Sequence, residues 1–210
     1  MPRLRPTLEL EQRAWEQGFQ RVAGVDEAGR GPLAGPLVVA AVVLGDRWNP
    51  EHPLNDSKQL SAEARDALFT VIRQEAHAYR IVVVSPAQID EWNILQATLR
   101  GMARSLERLK PAPDYALIDG NRLPELSLAG EAVVKGDTRS LSIAAASILA
   151  KVVRDRLMQV YGRRYPEWGF AEHMGYPTRK HREAIAQYGL SPIHRRSFRS
   201  SPRPEQLSLL

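Results

Sequence analysis

The stretch Pro36–Leu44 constrains the fold more than any other: one proline and then eight consecutive apolar residues, Leu37-Val-Val-Ala-Ala-Val-Val-Leu44. It is the longest apolar run in the chain and falls far short of the roughly 18 residues of a membrane-spanning helix. Its richness in valine reads as a strand. A shorter strand, Arg21–Val25, precedes it, and the glycine-rich Gly29–Gly35 joins the two as a turn.

Beyond this opening hairpin, strands and helices alternate. Thr7 starts a short helix to about Gln17, with Gly18 as its stop. Asn49–Gln59 is polar loop. Ser61 begins a helix to about Ala78 on which Leu68, Val71, Ile72 and Ala76 recur at helical spacing. Tyr79–Val84 is a strand, and Ser85-Pro86 pairs a capping residue with a favoured first helical residue. A second helix start at Asn93 leads to Lys110-Pro111. Tyr115–Ile118 and Glu131–Val134 are short strands, ending at Asp119-Gly120 and at Lys135-Gly136-Asp137. Ser140–Tyr161 is a long helix dense in alanine, and Thr178–Gln187 a last short one stopped by Gly189. The pattern is that of an α/β domain, a mixed sheet flanked by helices with a helical C-terminal extension. It is expected to occupy residues 1–196, with the Pro/Ser/Arg-rich stretch from Ser197 to Pro204 opening a mobile tail, 197–210.

The chain has no cysteine, which excludes disulfides, thiolate zinc sites and cysteine nucleophiles. With no apolar signal segment after the basic Met1–Arg5, a cytoplasmic protein is expected, with no membrane association and working as a monomer. The net charge of +5 fits an anionic partner such as nucleic acid. From Arg139 to Arg203, basic residues interleave with Tyr161, Tyr165, Trp168, Phe170 and Tyr176. That mixture suits either phosphate binding with base stacking or a solvated surface over buried aromatics.

The acids carry the chemistry. Asp26-Glu27, Asp119 and Asp137 each stand just past an apolar strand, at sites widely separated in sequence. Parallel neighbours would bring all four to one sheet edge, where ligands gather. Clustered carboxylates need a counter-charge, and oxygen donors without cysteine suit a hard cation, Mg²⁺ or Mn²⁺. Two such ions roughly 4 Å apart activate water and stabilise the leaving oxygen of a phosphodiester. Taken singly, Asp119 and Asp137 would pass as turn residues. The adjoining Gly29-Arg30-Gly31 allows close backbone approach to a ligand. Its spacing to Gly35 is one residue too long for a dinucleotide fingerprint, and it lacks the Gly-Lys-Ser/Thr of a phosphate-binding P-loop.

An ordered set of segments then resembles the bacterial ribonuclease HII family. They are Val22–Pro36 around Asp-Glu-Ala-Gly-Arg-Gly, Asn55-Asp-Ser-Lys58, Asp119-Gly120, Lys135-Gly-Asp137, Ser142–Asp155 and Gly175-Tyr-Pro-Thr178 with Lys180-His181. The sister ribonuclease HIII has Ser and Lys where this chain has Ala28 and Arg30. The resemblance implies a ribonuclease H-like fold and a metal-dependent endonuclease acting on RNA–DNA hybrids. It also implies cutting on the 5′ side of ribonucleotides embedded in duplex DNA, leaving 3′-hydroxyl and 5′-phosphate ends. Asp26, Glu27, Asp119 and Asp137 become the metal-binding carboxylates. Gly29, Arg30 and Gly31 become readers of the ribose 2′-hydroxyl, and Tyr176 the residue stacked on the following nucleotide. Lys58 contacts phosphate or caps a turn. Asp155, between Arg154 and Arg156, is expected to form an ion pair rather than bind metal, and no histidine is expected to be a ligand.

The end of the chain breaks the polar composition before it. Gln206-Leu-Ser-Leu-Leu210 resembles the peptide by which replication and repair proteins bind the bacterial sliding clamp, with Leu where that motif more often has Phe. Leu207, Leu209 and Leu210 would fill apolar pockets, with the preceding tail as tether.

Overall fold

The computed structural model describes residues 5–45, 48–49, 52, 54–55, 57 and 60–198. Strands β1 (Val22–Ala28), β2 (Leu37–Val43), β3 (Ala78–Val84), β4 (Tyr115–Asp119) and β5 (Ala129–Val133) form one sheet in the order β3-β2-β1-β4-β5. The pairs β1–β2 and β2–β3 are antiparallel, while β1–β4 and β4–β5 are parallel. Six helices accompany it among the described residues: α1 (Glu9–Glu16), α2 (Ala62–Glu75), α3 (Pro86–Glu107), α4 (Leu141–Arg164), α5 (Phe170–His173) and α6 (Arg179–Tyr188). None is long and apolar enough to cross a membrane.

The all-apolar β2 is explained by its two buried faces. Val38, Ala40 and Val42 enter a core with residues of α2 and α4, including Leu68, Ile72, Ala145 and Leu149. Val39, Ala41 and Val43 enter a second core with Ile89, Met102 and Leu106 of α3. Burying each such valine stabilises by about 1.5–3 kcal/mol over leaving it exposed.

Helix α4 crosses β1 at very short range because both surfaces are small. Ala144, Ala145, Ala146 and Ala150 are fully buried, and a β-carbon on Gly24 would lie 2.2 Å from the backbone of Ser142 and Ile143. The start of α4 is pinned from α1. The buried Glu11 carboxylate accepts from Ser140 Oγ at 2.6 Å and from the Ser142 amide at 2.9 Å, placing negative charge at a helix N-terminus.

Helix α3 carries a break. Asn93 has φ 61 inside it and its Oδ1 accepts from the Gln96 amide at 3.1 Å, so it caps a second helical segment, as its position in the sequence suggests. Tyr161 near the end of α4, and Tyr165, Trp168 and Met174 after it, pack on a small core of Ala34, Met158, Phe170 and Ile193. This C-terminal extension therefore rests directly on the Gly29–Gly35 turn.

One boundary matters for the site. The strand expected to end at Val25 continues to Ala28, so Asp26 and Glu27 lie inside β1 and not past its end. The parallel pairing with β4 stops at Val25↔Ile118, but β2 carries β1 onward through Asp26↔Ala40, Glu27↔Val39 and Ala28↔Val38.

Candidate active site

Side chains alternate along a strand, so Asp26 and Glu27 leave β1 on opposite faces. The end of β4 delivers Asp119 beside them. Asp26, Glu27 and Asp119 each offer a carboxylate oxygen, and these oxygens lie within 4.8 Å of one another. Burial, reinforced by the charges of Glu27 and Asp119, raises the Asp26 carboxyl well above its ordinary value. Such a set fits a hard divalent cation by donor type and by charge, since a cation would offset that repulsion.

Hydrogen bonds hold the acids in place. Asp26 Oδ1 accepts from the Glu27 amide at 2.7 Å, and its carboxyl is also bonded by Ser147 of α4. Ser147 Oγ is 3.0 Å from Ser57 Oγ, which ties the polar loop after β2 to the centre. Asp119 Oδ1 accepts from the Gly136 amide at 2.7 Å. Asp137, the next residue, sits buried in the 3-10 turn Gly136–Thr138, adjacent to this centre but outside the trio.

A groove of about 450 Å³ opens beside Glu27 and is lined by Gly29, Arg30, Gly31, Lys151 and Tyr176 among others. A second groove of about 270 Å³ shares Glu27 and Arg30 and runs past Asp119, Asn121 and Arg122. Arg30 lies 3.5 Å from Glu27 on the ridge between them. Gly29 must be glycine, because its φ is +100 and a β-carbon would meet Arg154 Nε at 2.1 Å. Gly31 is different. It has ordinary φ, and a β-carbon there would meet only Tyr176 Cε1, at 3.7 Å across the groove.

Tyr176 is 44% exposed, whereas Phe170 is fully buried and Trp168 stacks on it with centroids 6.3 Å apart. Of the aromatics interleaved with basic residues, Tyr161, Tyr165, Trp168 and Phe170 build the extension's core, and Tyr176 faces the groove. Asp155 pairs with Lys151 at 2.7 Å, while Arg156 pairs with Asp66 at 2.8 Å. Lys58 and the peptide Gln206–Leu210 lie outside the described residues.

Several site residues carried no readable signal on their own. Ser57, Ser147 and Lys151 lie within family-like segments, but only tertiary contact gives them a task. Arg154 and Arg195 look like members of a basic surface in the sequence, yet they are 1% and 2% exposed.

Comparison with known proteins follows the same lines. The family model described as Ribonuclease HII matches residues 23–201. The chain is similar to the ribonuclease HII of Vibrio campbellii, 54% identical over 192 residues, covering 91% of this chain and 90% of that one. It is 51% identical to that of Clostridioides difficile over 189 residues, covering 90% and 74% of the two chains. Among solved structures, the ribonuclease H2 of Pyrococcus horikoshii superposes with a TM-score of 0.73 at 31% identity, covering 86% and 94%. The Archaeoglobus fulgidus ribonuclease HII, solved in complex with PCNA, gives 0.73 at 28% identity, covering 89% and 98%. The chain belongs to the ribonuclease HII family, metal-dependent endoribonucleases that degrade the RNA of RNA–DNA hybrids.

Proposed function

We propose that this protein cuts on the 5′ side of ribonucleotides embedded in duplex DNA, as well as within longer RNA–DNA hybrids, leaving 3′-hydroxyl and 5′-phosphate ends. The observation that carries the reading is the open space at Gly31. Among the described residues, no contact requires glycine there, and the room left faces Tyr176 beside the acidic centre.

Asp26, Glu27 and Asp119 hold the metal, with Asp137 as the fourth carboxylate. A pair of Mg²⁺ or Mn²⁺ ions held by these carboxylates would supply activation of water and stabilisation of the leaving oxygen. Gly29, Arg30 and Gly31 present backbone to the ribose, whose 2′-hydroxyl both donates and accepts and so marks RNA. Among the described residues, nothing in the chain accepts a hydrogen bond from the Arg30 or Gly31 amides, which leaves them for that hydroxyl. Tyr176 stacks on the next nucleotide, and Lys58 contacts phosphate. The same reading makes it a cytoplasmic monomer with residues 1–196 as the catalytic domain and 197–210 as the tail, of which Ser197 still bonds Asp90 and Phe198 still packs against that domain. Gln206–Leu210 would tether it to a sliding clamp, a reading supported by the archaeal relative's PCNA complex.

The test uses an end-labelled DNA duplex with one ribonucleotide, beside the all-DNA duplex and a full RNA–DNA hybrid. Cleavage at a single position 5′ of the ribonucleotide, dependent on Mg²⁺ or Mn²⁺ and abolished by chelator, is expected. Cutting of the all-DNA duplex at a similar rate would instead identify a nuclease without 2′-hydroxyl recognition.

A further inference from the structure

Two buried residues outside the groove, neighbours in sequence, reach its two walls from behind. The segment carrying them runs beside the Leu33–Gly35 turn: the Gly35 amide donates to Ile193 O and the Arg195 amide to Leu33 O, both at 2.9 Å. Arg195 then sends its guanidinium forward. Nη2 donates to Gly29 O at 2.6 Å, Nη1 to Arg30 O at 3.0 Å and Nε to Gly35 O at 3.0 Å. In a trans peptide the N–H points opposite the C=O. Holding the Gly29 and Arg30 carbonyls inward therefore turns the Arg30 and Gly31 amides away from Arg195, toward the groove those residues line. The planar guanidinium sets three donors, Nε, Nη1 and Nη2, at fixed and separate positions, one for each carbonyl, whereas a lysine ammonium gathers its donors on a single rotatable nitrogen and does not fix that geometry.

His194 reaches the opposite wall. Its Nδ1 is 2.8 Å from the Ser191 amide, so that nitrogen must accept, and Nε2 must carry the proton. Nε2 lies 3.0 Å from His181 Nε2, which is then an acceptor, so His181 Nδ1–H donates to Tyr176 O at 2.9 Å. Each step admits one proton arrangement, and the relay ends on the backbone of the exposed tyrosine. His181 and His194 are 0% and 4% exposed, so nothing in solvent competes with these bonds.

We propose that His194 and Arg195 are positioning residues that together set the geometry of ribonucleotide reading, Arg195 aiming the Arg30 and Gly31 amides and His194 holding Tyr176 through His181. The proposal rests on the reading of this groove as the ribonucleotide site.

The full chain is compared with Arg195→Lys, His194→Gln, His194→Leu and Tyr176→Ala. Four quantities are measured: kcat and KM on the single-ribonucleotide duplex, Mn²⁺ binding by calorimetry, and thermal unfolding. A misaligned reader costs turnover, so Arg195→Lys and His194→Leu should lower kcat by about 10- to 100-fold. Their KM should change by less than about threefold and their Mn²⁺ affinity by less than about twofold. His194→Gln, whose amide can still donate near the Nε2 position, should retain more turnover than His194→Leu. Wild-type kcat in Arg195→Lys and His194→Leu, with a loss in Tyr176→Ala, overturns the brace and leaves the groove reading standing. Wild-type kcat in Tyr176→Ala overturns the groove reading itself. Loss of Mn²⁺ binding in step with kcat assigns the pair a general structural role and also overturns the brace. If Arg195→Lys does not fold, the His194 pair decides by the same criteria.

Discussion

Gly31 faces Tyr176 across the groove: a β-carbon on the glycine would stand 3.7 Å from the tyrosine Cε1, an ordinary van der Waals contact, with no other described atom within 4 Å. Gly31→Ala tests what that room is for. With ordinary backbone φ and no clash, the substitution should leave unfolding within about 0.5–1 kcal/mol of wild type, the usual glycine-to-alanine range. Cleavage at a single ribonucleotide should fall by at least about tenfold as the methyl fills the path of the ribose. An active Gly31→Ala enzyme would remove the glycine from substrate recognition.

Asp26 and Asp119 share a centre that repels itself when no cation is bound. Asp26→Asn and Asp119→Asn should each reduce cleavage to background, since each removes a proposed metal donor. Asp26→Asn should also unfold no earlier than wild type in chelator, because it relieves a buried charge crowded by Glu27 and Asp119. Turnover near normal in either variant, read on the single-ribonucleotide duplex, would remove that residue from the metal set.

The His181–His194 pair predicts a pH dependence of stability. Burial lowers both imidazoles from 6.5 to about 4, with His173 and Arg182 adding to it at His181, and His181 and His173 adding to it at His194. Stacked on His181, His173 is itself lowered by burial. The unfolded chain therefore takes up protons before the folded one does. The stabilisation is complete above about pH 6.5 and is lost as pH falls through about 4, where a second N–H would face the first. Melting temperature should decline across that window in wild type, and His194→Gln should flatten the decline. Identical slopes in the two proteins would contradict the assignment.

Deleting Gln206–Leu210 should leave cleavage of a short duplex unchanged and abolish capture of the enzyme on immobilised bacterial sliding clamp. Equal capture of the truncated chain would show that the peptide is not the tether.

How far the sequence alone reaches differs by residue. The Asp26-Glu27-Ala-Gly-Arg-Gly segment announces acids beside a close-approach turn because both properties are local, one of charge and one of backbone. Helix starts at Ser61, Ser85, Asn93 and Thr178 are equally local, since a side-chain cap acts within three residues. The all-apolar β2 could be recognised as a strand for the same reason. Its two separate cores could not, since they depend on which helices cover which face.

Tertiary structure decided the rest. The end of β1 lies beyond Val25 because β2, and not the strand's own residues, carries it onward. Trp168 and Tyr176 are both aromatic amid basic residues, yet one is packed and the other faces the groove. Only the docking of the extension on the Gly29–Gly35 turn separates them. The same docking turns Arg195, an ordinary basic residue near the chain's end, into a buried fork on the carbonyls of Gly29 and Arg30, 166 and 165 positions away. Carboxylates and turns declare themselves through chemistry within a few residues. The aim of a peptide amide depends on what holds the carbonyl behind it, and that partner is chosen by the fold.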